Sequence, residues 1–136
     1  MKKYYIASRL ENVDQVREVK AALDAAGWEH TYDWTVHGSV QKCDSSVIAE
    51  VARKETQGVI NADVVIVLLK GGRGTHAELG GAIVNTAYHP SNRIVVYSPD
   101  PERDFGTSGE TCAFYHHPFV ERFTAIDSML YALGVR

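Results

Sequence analysis

The fold is decided by residues 62–69, Ala-Asp-Val-Val-Ile-Val-Leu-Leu, a nearly continuous run of β-branched and other apolar residues. Such a run predicts a strand that is covered on both faces, at the middle of a parallel sheet. A glycine-rich turn over residues 71–74 follows it directly. A helix is predicted after the turn, from Thr75 to about Tyr88. Strand, turn and helix in this order are the repeating unit of α/β proteins.

The residues before this strand predict two further strands and two helices. Residues 3–8 are β-prone and bounded by a polar turn, and residues 28–34 form a second candidate strand. Between them, apolar residues recur every three or four positions over residues 12–26, which predicts an amphipathic helix that ends at Gly27. An Asp-Ser-Ser N-cap opens another predicted helix over residues 44–60.

The residues after the central strand continue the alternation. A buried strand is predicted over residues 93–97, a loop over 99–110, a short strand over 111–115 and a final helix over 119–133. A chain of 136 residues is the size of one ordinary domain. The predicted fold is therefore a single-domain, three-layer α/β sandwich, flavodoxin- or Rossmann-like, with a mainly parallel sheet of about five strands.

Composition narrows the classes of binding partner that we expect for this protein. The net charge of -3 favours neither a nucleic-acid polymer nor an anionic membrane, although a single phosphorylated metabolite needs only one or two local donors. No apolar run reaches the length of a membrane span. Cys43 and Cys112 lack the spacing of a zinc site or a disulfide framework, which indicates a reducing compartment and a cytoplasmic location. His116 and His117 have no acidic or thiol partner at ligand spacing, so neither a metal nor another cofactor is expected.

The loops after three predicted strands carry most of the chemically interesting residues. Ligands of open parallel sheets bind beyond the carboxyl ends of the strands, where the strand order reverses. Ser8-Arg9, Asp33-Trp34 and residues 71–75 leave such ends. The third loop is the most informative, because glycines allow close approach and the following helix N-terminus offers free N–H groups to an anion or a sugar.

Glu78 has two interpretations at this point. Thr75-His76-Ala77-Glu78 has the form of a capping box, in which Thr75 caps the helix and Glu78 bonds back to its backbone N–H. Alternatively, Glu78 lies on the first helical turn with its carboxylate facing the cleft.

Three short segments resemble one enzyme family. Residues 72–80 look like the G-T-x-x-E-x-G motif of the nucleoside 2-deoxyribosyltransferase family, which includes the deoxynucleoside 5′-monophosphate N-hydrolases. Residues 5–8 are similar to its first strand. Residues 55–63 resemble its helix-to-strand segment, with an acidic residue eight positions before the aspartate of the third strand. The three motifs occur in the right order, and the match covers most of residues 3–97.

The resemblance implies cleavage or transfer at the N-glycosidic bond of a (deoxy)nucleoside or its 5′-monophosphate. Glu78 matches the nucleophilic carboxylate, and Tyr5 matches the tyrosine that orients it. Glu55 matches a position, usually aspartate, that handles the departing base. The resemblance also implies a homo-oligomer, a dimer or larger, because related enzymes build their sites across subunit interfaces.

The remaining predicted site residues are assigned to substrate binding. Arg9 could hold a 5′-phosphate, with the Ser8 hydroxyl, or be a surface arginine; Arg73 carries the same ambiguity. Trp34, with Tyr32 and Asp33, could stack on and hydrogen-bond the base, or it could be a core aromatic residue at a strand end. The full set of predicted substrate-binding residues is Ala7, Ser8, Arg9, Asp33, Trp34, Gly72, Arg73, Gly74 and Thr75.

Two features depart from the family pattern. Gly72 lies six positions before Glu78, where transferases often carry an acidic residue. The asparagine-containing segment that reaches into a neighbouring subunit is also not recognisable. Transfer to a second base and hydrolysis by water therefore both stay open, and so does a non-catalytic module that binds a nucleotide without cleaving it.

Overall fold

The structure is a computed structural model that describes residues 1–136. Five strands alternate with five helices along the chain. The strands are β1 (Lys3–Ala7), β2 (Glu29–His30), β3 (Val64–Leu68), β4 (Arg93–Tyr97) and β5 (Val120–Phe123). The helices are α1 (Val13–Ala25), α2 (Ser45–Asn61), α3 (Arg73–Tyr88), α4 (Pro101–Phe105) and α5 (Ile126–Ala132).

All five strands form one parallel sheet in the order β2-β1-β3-β4-β5. The central strand is β3, and each of its five residues is buried, as the apolar run predicts. Helices α2 and α3 contact each other, and so do α1 and α5. This strand order is the flavodoxin-like one, so the prediction of a three-layer α/β domain is confirmed. No helix of the chain combines the length and the apolar character that crossing a bilayer requires.

The helix ends of the first half agree with the sequence. Gly27 follows α1 with a φ of 84°, the left-handed backbone that a C-cap glycine supplies without strain. The Asp44 side chain accepts hydrogen bonds from the amides of Ser46 and Val47 at 3.1 and 3.2 Å, which makes it the N-cap of α2.

The predicted second strand is much shorter than residues 28–34. Only Glu29–His30 pairs with β1, and Trp34 begins a 3-10 turn that extends to Val36. The Trp34 indole N–H donates to the carbonyl of Ile6 at 2.7 Å, which turns the chain away from the sheet edge.

The prediction for the last third is wrong in several places. The loop over 99–110 contains α4, where the Asp100 side chain accepts from the amide of Arg103. The strand over 111–115 is absent, and residues 113–116 form a 3-10 turn instead. The last strand is β5, within the segment assigned to the final helix, and α5 starts only at Ile126. Pairing of β5 with β4 overrides the local preference of these residues.

Candidate active site

A cleft of about 420 Å³ opens at the carboxyl edge of the sheet, beside the ends of β1 and β3. The strand order reverses between these two strands, so the cleft lies where ligands of this architecture bind. One wall consists of Ser8–Leu10 and the turn that begins α3. The opposite wall comes from α2 and the loop over residues 37–41.

Tyr5 and Glu78 are in direct contact beneath this cleft. The Tyr5 hydroxyl donates to Glu78 Oε2 at 3.0 Å, and the Tyr5 side chain is completely buried in β1. Burial raises the pKa of Tyr5, and the charge of Glu78 raises it further. The phenol therefore stays protonated and acts as a donor that holds one oxygen of the carboxyl group.

The helix start decides between the two interpretations of Glu78. Helix α3 begins at Arg73 rather than Thr75, so Glu78 lies beyond the first turn and caps nothing. Thr75 Oγ1 accepts from the Gly72 amide at 3.1 Å and donates to the Ser8 carbonyl at 2.8 Å. The capping box between Thr75 and Glu78 is therefore wrong, and the glutamate is left free to face the cleft.

Glu55 on α2 is the second carboxyl group of the site and shares a hydrogen bond with Glu78. Burial and then the charge of Glu55 raise the pKa of Glu78 to about 8. Burial also raises the pKa of Glu55, against the opposing effects of the hydrogen bond with Glu78 and the charge of His37. Two contacting carboxyl groups cannot both ionise readily. We therefore expect the Glu55–Glu78 pair to hold one proton at neutral pH.

The turn before α3 presents unpaired donors at the other end of the cleft. The amides of Arg73, Gly74 and Thr75 have no backbone partner, as expected at a helix N-terminus. Arg9 lines the cleft and lies 3.5 Å from the Glu11 carboxylate. The Ser8 hydroxyl donates its hydrogen to the carbonyl of Leu68 at 2.7 Å, so it has no donor left for a phosphate.

The structure brings most of the predicted substrate-binding residues to the cleft but leaves two out. The residues that line it are Ser8, Arg9, Trp34, Gly72, Arg73, Gly74 and Thr75. Ala7 is fully buried in β1 and does not reach the cleft. The Asp33 carboxylate caps the 3-10 turn by accepting from the amide and the hydroxyl of Thr35, so it does not line the cleft either.

Sequence reasoning missed the wall opposite Glu78. His37, Gln41, Ile48 and Val51 line it. The His37 Nδ1 lies 2.8 Å from the Gly38 carbonyl, while its Nε2 is buried without a hydrogen-bond partner. The signal that could have identified His37 and Gln41 is their place in the loop between β2 and α2, whereas Ile48 and Val51 lie on α2 and carry no such signal.

Two solved structures share this architecture at low sequence identity. One is a 2-deoxyribosyltransferase from the psychrotolerant bacterium Bacillus psychrosaccharolyticus, with a TM-score of 0.64, 16% identity, and coverage of 93% of this chain and 89% of that one. The other is the Clostridium botulinum CMP N-glycosidase BcmB, with a TM-score of 0.57, 13% identity, and coverage of 99% and 100%. No family model matches the sequence, and the comparison with curated proteins finds no match. The chain therefore has the nucleoside 2-deoxyribosyltransferase-like fold that the motifs indicate.

Proposed function

We propose that this protein cleaves the N-glycosidic bond of a (deoxy)nucleoside or its 5′-monophosphate, with Glu78 as the nucleophile. The observation that carries the proposal is the arrangement of Tyr5, Glu78 and Glu55: a buried carboxyl group with a phenol behind it and a second carboxyl group beside it. The two solved structures of similar fold support it, since one is a 2-deoxyribosyltransferase and the other a CMP N-glycosidase.

The shared proton gives each carboxyl group a role in the first step. Glu78 passes its proton to Glu55, and the Glu78 carboxylate then attacks C1′ of the sugar. The C1′–N bond breaks, its electron pair leaves with the base, and Glu55 donates the proton to that base. A glycosyl ester on Glu78 remains. Tyr5 keeps one Glu78 oxygen hydrogen-bonded, so that the other faces the sugar.

The second step releases the sugar, with Glu55 acting as a base and Glu78 as the leaving group. Glu55, now ionised, takes a proton from water as the water oxygen attacks C1′, and the ester bond to Glu78 breaks. A second base takes the place of water in a transferase. Either acceptor is compatible with the proposed roles of Glu78 and Glu55.

The donors at the start of α3 suit a 5′-phosphate. Three unpaired amides and the positive end of a 16-residue helix dipole attract an anion. The guanidinium of Arg9 stands at the same wall and can add a charged hydrogen bond. A nucleoside monophosphate would then span the cleft, with its sugar over Glu78.

A panel of deoxynucleosides, ribonucleosides and their 5′-monophosphates tests the proposal. Each compound is incubated with the protein, with and without a second base, and the free base is followed by chromatography. We expect base release that Glu78→Gln abolishes and that Glu18→Gln, a change at an exposed residue of α1, leaves intact. Equal release by the Glu78→Gln variant would refute the assignment of the nucleophile.

One observation favours a second candidate, a module that binds a nucleotide without cleaving it. A carboxyl group with a pKa of about 8 is mostly protonated at neutral pH and is then a poor nucleophile. Saturable binding of a nucleotide by calorimetry, with no base released over hours at pH 7 or pH 9, would support this candidate.

We also propose that the chain forms a homo-oligomer through α2 and α3. Beyond Arg73 at its start, the exposed stripe of α3 carries no charged residue, and Val84 and Tyr88 on it are 62% and 80% exposed. A groove of about 270 Å³ between α2 and α3 extends this surface to the Glu55–Glu78 pair, so a second copy would also close the site. Sedimentation should show a dimer or larger species that Val84→Glu dissociates, and a monomeric wild type would contradict the proposal.

A further inference from the structure

The imidazole of His76 connects the glycine turn of the cleft to the C-terminal third of the chain. Its Nδ1 lies 2.7 Å from the carbonyl oxygen of Gly72, and its Nε2 lies 2.6 Å from the hydroxyl of Tyr115. A carbonyl oxygen only accepts, so Nδ1 must carry the hydrogen of the neutral ring. Nε2 is then the acceptor, and the Tyr115 hydroxyl donates to it.

Tyr115 is held firmly enough to fix this ring. It is only 5% exposed, and its ring packs edge-on against Phe105 with the centroids 6.1 Å apart. Burial raises the pKa of Tyr115 to about 12, so its hydroxyl keeps the proton that the imidazole accepts. Tyr115 lies in the 3-10 turn over residues 113–116, outside the region where the sequence resembles known enzymes.

The His76 contact fixes the direction of the peptide groups in the turn. The Gly72 carbonyl accepts from the ring of His76 and also from the His76 amide at 3.2 Å. The Gly72 amide is occupied by Thr75 Oγ1. Both polar groups of this glycine are thus bonded, and the carbonyl points along α3. The free amides of Arg73 and Gly74 point in the opposite direction, out of the helix end.

We propose that His76 and Tyr115 are positioning residues that hold the turn so that these amides bind the 5′-phosphate of a nucleotide. The inference rests on the proposed function, since it concerns the same cleft, but it assigns work to two residues that touch no part of the substrate. Without the bond to the His76 ring, the Gly72 carbonyl keeps only the 3.2 Å bond from the His76 amide, so its peptide can rotate more freely and turn the oxygen towards the anion, which it would repel.

Tyr115→Phe tests the proposal, because it removes one hydroxyl and leaves the packed ring. A hydrogen bond contributes an amount that corresponds to about a two- to tenfold change in an equilibrium constant. We expect KM for a nucleoside 5′-monophosphate to rise by about that factor, with kcat and the KM for the unphosphorylated nucleoside unchanged. The control is Tyr131→Phe, at a tyrosine that is 76% exposed on α5. A fall in kcat, or an equal rise in both KM values, would overturn the proposal.

Two measurements by nuclear magnetic resonance do not depend on turnover. The ring nitrogens of His76 should show the tautomer protonated at Nδ1 in the wild type and a mixture of tautomers in Tyr115→Phe. Inorganic phosphate should shift the amides of Arg73 and Gly74, and it should bind the variant more weakly. The wrong tautomer, or no phosphate response in the wild type, would overturn the inference even if the protein is active. Both signals without any base release would instead count against the proposed function.

Discussion

Replacement of Glu55 by glutamine removes the group that the proposed mechanism uses to protonate the leaving base. The side chain keeps its size and can still hydrogen-bond to Glu78, so the cleft should keep its shape. General acids contribute about 10²–10⁴-fold to rate, and we expect kcat to fall by a factor in that range. Glu50→Gln, one turn earlier on the exposed part of α2, is the matched control and should retain full activity.

The pH profile of the same variant gives a sharper test than its rate. In the wild type, the active form is the pair with one proton, and Glu78 loses that proton with a pKa of about 8. The kcat/KM of the wild type should therefore fall above about pH 8. In Glu55→Gln, the neighbouring charge that raises the pKa of Glu78 is gone, so this pKa should fall, although burial keeps it above the ordinary value.

The alkaline decline should consequently disappear in Glu55→Gln, because no general acid remains to be lost. The assay is kcat/KM for the best substrate of the panel, measured from pH 5 to pH 10 at constant ionic strength. A base that is alkylated and already cationic leaves without a proton, so both proteins should release it at almost equal rates in the first turnover, before Glu55 is needed to activate water. A Glu55→Gln variant with normal kcat and an unchanged decline near pH 8 would refute the assignment of Glu55 as the acid.

Three further perturbations follow from the geometry. Glu78→Gln should raise the melting temperature at pH 8 but not at pH 4. The pKa of Glu78 is higher in the folded than in the unfolded protein, so the wild type loses stability as the pH rises towards 8. Equal effects of the substitution at both pH values would contradict this. Gly71→Ala should cost about 1–3 kcal/mol in denaturant unfolding, because the new Cβ would lie 2.5 Å from Thr75 Cγ2, whereas Gly80→Ala meets nothing and should be neutral or stabilising. His30 has two buried ring nitrogens without hydrogen-bond partners, and burial lowers its pKa, so the wild type should lose stability below about pH 6.5. The His30→Phe variant should lose less stability than the wild type between pH 7 and pH 5. An identical loss in both proteins would count against this.

The sequence correctly predicts those parts of the fold whose buried residues follow one another, or recur regularly, within a short stretch of chain. Strand β3 is buried along its whole length, and its composition leaves no other interpretation. Helices α1 and α2 have clear end signals in Gly27 and Asp44. Strand β5 is different, because it is an edge strand with partly exposed residues and its identity depends on pairing with β4.

The site shows the same division between local and distant information. The resemblance directed attention to Tyr5 and Glu78, which lie 73 positions apart and are in contact in the structure. The start of α3 could not be read locally, because it depends on the bond from Thr75 to the carbonyl of Ser8, 67 positions away. Asp33 was a reasonable candidate by position, but its carboxylate is occupied by the amide and hydroxyl of Thr35, two residues on.

The two walls of the cleft differ in how many of their residues belong to the buried core of the domain. Tyr5 belongs to the buried core of the sheet, where a change disturbs packing, and the turn before α3 is held to β1 by the bonds of Thr75 to Gly72 and Ser8. The wall opposite Glu78 is built largely from residues 37–48, and residues 41–48 are all exposed. Within this segment, residues 38–43 precede the Asp44 N-cap of α2 and can be exchanged or randomised while the reacting groups keep their support. Under the proposed function, the chain would be a scaffold for directed evolution of base preference, with a library confined to residues 38–43 and selection for release of a chosen base.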